Sequence, residues 1–166
     1  MRISMLAAWP LGMTMALAAC SEPAPAPDAV EKPIVMQAGQ WTLTRKVTGY
    51  NTPTVTPAQY QAALKQVGQD KVCIAVDAAG VPDANALAGA DGSDCSYKDK
   101  LVRKGRLIAT LSCKAGGSTS EIVIEGNYTN DTLTLGTTMT KSQGGQAVLR
   151  TTQDLTGQRI GACPPS

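Results

Sequence analysis

The stretch Cys95 to Cys113 reads CSYKDKLVRKGRLIATLSC and limits the fold more tightly than any other part of the chain. Arg103-Lys104-Gly105 predicts a three-residue hairpin turn, with Gly105 in the left-handed position. That turn sets Leu101 opposite Leu107, Tyr97 opposite Leu111, and Cys95 opposite Cys113. One face then carries Tyr97, Leu101, Leu107, Ala109, Leu111 and both sulfurs. Directly opposed residues of an antiparallel pair come close enough for a disulfide. The remaining strands have to be laid beside this stapled hairpin.

A disulfide needs an oxidising compartment, and the N-terminus points to one. Arg2 gives a positive start, and an apolar run follows from Ile3 to Ala19. Trp9-Pro10 and Gly12 interrupt it, and it is short for a membrane span. Small residues precede Cys20, so residues 1–19 read as a secretory signal. Leu17-Ala18-Ala19-Cys20 resembles the lipobox of bacterial lipoproteins. The resemblance implies a thioether-linked diacylglycerol on Cys20, cleavage before it, and acylation of the new amine, an anchor of the palmitate class. Two or more acyl chains hold a protein on a membrane stably, so the expected partner is a lipid bilayer reached through Cys20. Ser21 stands where an Asp would resemble an inner-membrane retention signal, which directs the expectation to the outer membrane. A plain signal peptide ending before a chance cysteine is the alternative. The charged start and four agreeing positions favour the lipobox.

Cleavage leaves 166 − 19 = 147 residues, with 15 − 1 = 14 basic and 13 acidic side chains, a net of +1. That balance supplies no electrostatic footprint for nucleic acid. The chain has no His and no Phe. Trp41, Tyr50, Tyr60, Tyr97 and Tyr128 are the aromatics of the mature part, so covalent staples are a sensible supplement to the core. Cys73, Cys95, Cys113 and Cys163 form an even set in an exported chain, which reads as a disulfide framework. Four cysteines allow three connectivities. The hairpin register selects Cys95–Cys113 and leaves Cys73–Cys163. Zinc is the competing reading, and the lack of any His or Cys-x-x-Cys pair argues against it.

Ser21 to Pro33 is rich in Pro and Ala and reads as a semi-extended tether. From Gly39 to Tyr50, Trp41, Leu43 and Val47 alternate with polar residues, as in a strand with one buried side, although Arg45 breaks the apolar face. Thr56-Pro57-Ala58-Gln59 opens a helix with an N-cap, a first-turn Pro and a capping box. Tyr60, Ala63, Leu64 and Val67 share one face of it, and Gly68 ends it. Cys73 to Val76 is a short apolar piece. A loop with one helical turn near Ala84 to Ala88 follows. It holds Asp77, Asp83, Asp91 and Asp94, without the tight alternate spacing of a calcium loop, so these carboxylates are expected in turns.

Beyond Cys113 the chain reads as a meander. Ser120, Ile122, Ile124 and Tyr128 share a face. A turn at Asn130-Asp131 sets Tyr128 against Leu133 and Ile122 against Met139, so apolar meets apolar. Gly144-Gly145 turns again, and Ala147, Leu149 and Leu155 line the last strand. Glu121 and Glu125 fall on one strand side. Such a pair can suggest glycosidase chemistry, but on an exposed strand face it is expected to be solvated surface.

Four cysteines, an early Gly39-Gln40-Trp41 and the closing Gly157-Gln158-Arg159-Ile160-Gly161-Ala162-Cys163 together resemble the family called domain of unknown function 3617, over about residues 39 to 163. The resemblance implies small exported bacterial proteins and lipoproteins, and it implies no activity. Arg159, inside the closing motif, is a candidate anion ligand or a local pairing partner.

The expected fold is mainly β: one domain, a curved antiparallel meander or half-barrel with one covering helix and two disulfides. The expected divisions are signal 1–19, lipidated Cys20 and tether 20–38, domain 39–163 and tail 164–166. The expected role is a non-enzymatic, monomeric envelope module facing the periplasm, with no catalytic residue, metal or cofactor. The alternatives are a carrier holding an apolar ligand in a hollow lined by Leu107, Leu111, Ile122, Ile124 and Leu133, and a hydrolase using Ser/Lys or carboxylate chemistry.

Overall fold

The structure, a computed structural model, describes residues 34–89 and 94–165. Strands β1 (Gly39–Asn51), β2 (Val67–Ile74), β3 (Cys95–Arg103), β4 (Arg106–Ala115), β5 (Ser118–Tyr128), β6 (Thr132–Gln143) and β7 (Gln146–Gly161) form one sheet. Helices α1 (Pro57–Ala63) and α2 (Ala84–Ala88) are short. The strand order is β2-β1-β7-β6-β5-β4-β3, and every neighbouring pair is antiparallel. β3 to β7 is the expected meander. β1 then pairs with β7, which joins the two ends of the domain inside the sheet.

Alternation decides the register. On β5, Ser120, Ile122, Ile124 and Tyr128 are buried while Glu121, Val123, Glu125 and Asn127 face out. Tyr128 lies opposite Leu133 and Ile122 opposite Met139, as the turn at Asn130-Asp131 requires. A one-residue slip would carry this whole apolar set into water. Trp41, Leu43, Leu107, Leu111, Ile122, Ile124, Leu133 and Leu155 form one buried cluster with Leu87 of α2 and Met36. Met36 is 2% exposed, so residues 34–38, which composition groups with the tether, pack onto the domain.

The sheet has to curl. α2 touches both β2 and β3, which are the two ends of the strand order. In a flat sheet these edges would stand about 29 Å apart across six gaps of about 4.8 Å. A five-residue helix is only about 7.5 Å long. Gly126 marks one bend: a side chain there would run into the Thr134 carbonyl oxygen and come within 2.7 Å of the Leu135 Cα. Glycine at an inward strand position permits that close backbone approach.

Four expectations need correction. The β3–β4 turn has two residues, Lys104 and Gly105, at φ 49° and 76°. Left-handed residues in a two-residue loop match the natural twist of the strands. Leu101 therefore faces Ile108 and Val102 faces Leu107, and a bulge between Tyr97 and Asp99 restores Tyr97–Leu111 and Cys95–Cys113. Leu101, expected in the core, is 57% exposed, and Val102 takes its inward place.

α1 starts at the expected capping box, with Thr56 and Gln59 bonding reciprocally. It ends by Leu64, and Val67 opens β2 and is 63% exposed. The covering helix is also not α1. α1 buries only Ala63, whereas α2 delivers Ala84, Leu87 and Ala88 to the core. Finally, Ala147 faces solvent rather than lining the last strand, and Thr151 and Leu155 are the buried residues of β7.

Candidate functional site

Both disulfides link the expected cysteines. Cys95 and Cys113 are directly opposed on β3 and β4, with their Cα atoms 4.0 Å apart. Cys73 on β2 reaches Cys163 beyond β7, across the start of β1, at 5.6 Å. Such bridges persist in oxidising compartments. Cys20, the expected lipid attachment residue, lies outside the described residues, as does Asp91.

The segment between β2 and β3 closes the curled sheet, and most of the polar candidates sit in it. Val76 bridges to Pro82. The Tyr97 hydroxyl donates to the Pro82 carbonyl at 2.8 Å, and the Cys95 N–H donates to Asn85 Oδ1 at 2.8 Å. Together these bonds tie the segment to β3. Burial above all, with Asp83 and Asp77 nearby, pushes the Tyr97 phenol well above its ordinary range, so Tyr97 stays a neutral donor. Lys100 lies over its ring at 5.2 Å.

The carboxylates of Asp77 and Asp83 have local roles. Asp77 accepts from the N–H groups of Val81 and Ala79, both at 2.9 Å, and pairs with Lys100 at 3.4 Å. Asp83 caps α2 by accepting from the Ala86 N–H at 3.0 Å. The Asp94 carbonyl takes the Lys114 N–H. Among the described residues, no three His, Cys, Asp or Glu side chains gather in a metal-holding group.

The Val81 N–H above all holds the Asp77 carboxyl below its ordinary value, and the Ala79 N–H and Lys100 add to it against the opposing desolvation. A depressed carboxyl stabilises the fold at pH above its unfolded value of 3.8, and this contribution is lost as pH falls through the folded value. Asp77→Asn keeps an acceptor for the two N–H groups and removes the titration. We expect the variant to be the less stable protein at pH 6 and to match the native chain near pH 2, when denaturant midpoints are compared across pH. A gap of constant size across that range would contradict the assignment.

Glu121 and Glu125 share an outer strand face as read, and each has a cation beside it. Lys98 meets Glu121 at 2.9 Å, and Arg106 meets Glu125. All four side chains are largely exposed, so the pairs add little stability. Arg159 pairs locally: its Nε donates to the Ala38 carbonyl at 3.0 Å, and its backbone N–H donates to the Asp131 carbonyl. Gly157 makes room for Leu43 and Leu133.

The sequence reading missed the role of Arg45. Its position on β1 is inward, between Leu43 and Val47, and its guanidinium donates to the carbonyls of Ala86 at 3.2 Å and Leu87 at 3.1 Å. It also pairs with Asp70 at 3.7 Å. A cation on the last carbonyls of a helix satisfies groups that the helix itself leaves open. Arg45 thus fastens α2 over the concave face. Its signal was available as a charged residue at an inward position of an otherwise apolar strand face.

That concave face is filled. Leu107, Leu111, Ile122, Ile124 and Leu133 are 0–4% exposed. A hollow wide enough for a ligand would leave its lining open to a water-sized probe, so these five side chains are core and not the lining of a carrier's cavity.

Comparison with protein families finds a match over residues 36–163 to the family described as protein of unknown function (DUF3617). No curated protein and no solved structure matches the chain.

Proposed function

We propose, starting from the fact that this chain belongs to the DUF3617 family, that it is a lipid-anchored, non-enzymatic module of the bacterial envelope. Cys20 carries the acyl chains, residues 21–33 tether the domain, and the folded part faces the periplasm from the outer membrane. The pair of disulfides carries this reading, because it argues for a compartment outside the cytoplasm. The lipobox Leu17-Ala18-Ala19-Cys20 and Ser21 add the anchor and the address. The bias against catalysis comes from the chemistry of the side chains. The chain has no His to act as a base. Cys73, Cys95, Cys113 and Cys163 are oxidised, and Glu121 and Glu125 are paired with cations.

The test is the intact mass of the protein extracted from membranes with detergent. The expected mass is that of the chain from Cys20 with three acyl chains and two disulfides. Cys20→Ala is expected to abolish the acyl mass. A native protein without acyl mass at its first residue would overturn the anchor.

A further inference from the structure

We infer that the Cys73–Cys163 disulfide is a redox latch: a dithiol opens it while the domain stays folded, the Cys95–Cys113 bridge remains closed, and the β2 edge of the sheet loosens. The inference goes beyond the anchored reading and does not need an acyl chain on Cys20.

The two bridges stand in unlike surroundings. Cys113 is 1% exposed, and Cys95 packs half-buried against the core cluster. Cys73 and Cys163 are both exposed, and neither belongs to that cluster. Cys73 points to the outer face of β2, between the inward Val72 and Ile74. Cys163 follows β7, where residues 162–165 form no strand. Thiol–disulfide exchange requires a thiolate to reach a sulfur, so exposed bridges are the labile ones. Full access to Cys95–Cys113 calls for β3 to part from β4 and lift Tyr97 and Val102 off the core cluster. Such an opening is rare in a native domain.

The exchange balances with a dithiol alone. One of its thiolates attacks the Sγ atom of one cysteine, the bond between the two Sγ atoms breaks, and the other cysteine leaves as a thiolate. The second thiol of the reagent then loses its proton, attacks the reagent's own sulfur in the mixed disulfide and releases the first cysteine. The dithiol gives up two electrons and becomes a disulfide, and Cys73 and Cys163 take up the two protons that it sheds.

What the latch holds follows from the strand order. Cys73 is opposed to Gln40 on β1, and Gln40 to Gly161 at the close of β7, so the bridge spans three neighbouring strands. Among the described residues, β2 pairs with β1 alone. Once the bridge opens, Val67 to Val72 keep the backbone ladder to β1, the half-buried Val72, and the contacts of Asp70 with Arg45 and of Gln69 with Thr44. Asp70 and Gln69 are exposed, so these contacts add little. Ile74, fully buried, keeps the end at Cys73 near the core. β2 becomes a fraying edge of a folded sheet, and the backbone of β1 from Gly39 to Lys46 becomes accessible.

The experiment uses the oxidised chain beginning at Ser21, which contains both bridges and lacks the thiol of Cys20. Dithiothreitol is added at about pH 8, where its thiolate is available, and samples are quenched with iodoacetamide and read by intact mass and peptide mapping. We expect label on Cys73 and Cys163 to appear at least about fiftyfold faster than on Cys95 and Cys113. The protein labelled at that pair alone is expected to keep the circular dichroism of the folded sheet. Its Val67 to Val72 amides are expected to exchange at least about tenfold faster than in the oxidised protein, with those of β4 to β6 unchanged. In about 6 M guanidinium the two bridges are expected to open within about fivefold of each other, because folding sets the difference. Loss of both bridges together, earlier loss of Cys95–Cys113, resistance of both in the folded protein, or a preference that persists in guanidinium overturns the inference. So does a selectively opened protein whose β2 amides exchange as before.

Discussion

Replacing Cys73 and Cys163 together by alanine lowers the unfolding free energy by about 4–5 kcal/mol. The two cysteines are 90 residues apart in sequence, and a cross-link closing so long a loop removes much freedom from the unfolded chain. The topology adds a local reason. Among the described residues, β2 is an edge strand bonded only to β1, and apart from Val72 and Ile74 its residues face water. It has little apolar burial to hold it once the link to Cys163 is gone. Domains of this kind have only about 5–15 kcal/mol in total, so the loss is a large share. Urea unfolding followed by Trp41 fluorescence measures it cleanly in a chain that begins at Ser21, since the other Trp, Trp9, lies in the segment expected to be a signal. Trypsin is expected to cut the variant first after Lys65 and Lys71, with the β3–β4 hairpin still stapled. A shift under about 1 kcal/mol, or first cuts inside β4 to β6, would show that β2 is held by something other than the sulfur bridge.

Local signals in the sequence translated well into structure where the contacts they specify are close along the chain. Tyr128, Asn130-Asp131 and Leu133 form the expected hairpin, because a short turn fixes the register and alternation confirms it. Thr56 and Gln59 make the expected capping box because both partners lie within one helical turn. β2 was legible only at Cys73 and Ile74. Its remainder, Val67 to Val72, is an edge exposed to water and shows no apolar alternation. Leu101 was misplaced because a two-residue turn and a compensating bulge give the same Cys95–Cys113 pairing as a three-residue turn without one. Arg45 clamping α2, Lys100 beside Asp77 and Lys98 beside Glu121 join residues more than twenty positions apart. No local pattern announces such partners. The candidate chemistry was readable as residue types, while its absorption into turns, caps and ion pairs became visible only in the folded chain.

Trp41→Ala is expected to cost about 3–5 kcal/mol, the range for removing a large aromatic from a packed core. Trp41 is fully buried, and on β1 it faces Val72 of β2 and Arg159 of β7. The substitution therefore opens a cavity where the N-terminal and C-terminal strands meet. Its Nε1–H donates to the Gln37 carbonyl at 3.2 Å, so the change also releases residues 34–38 ahead of β1. Trp41→Phe separates the two contributions. It keeps most of the apolar area, removes the hydrogen bond, and is expected to cost about 1–2 kcal/mol. Circular dichroism in urea reads both variants, since the fluorescent reporter is gone. If the bond to Gln37 is what seats residues 34–38, Trp41→Phe also speeds amide exchange there, ahead of the strands. Loss of the ring alone would destabilise the sheet as one unit and leave that segment exchanging with it. A Trp41→Ala protein within about 1 kcal/mol of the native chain would mean that the cavity collapses, and that the N- and C-terminal strands are held mainly by their backbone ladder and the Cys73–Cys163 link.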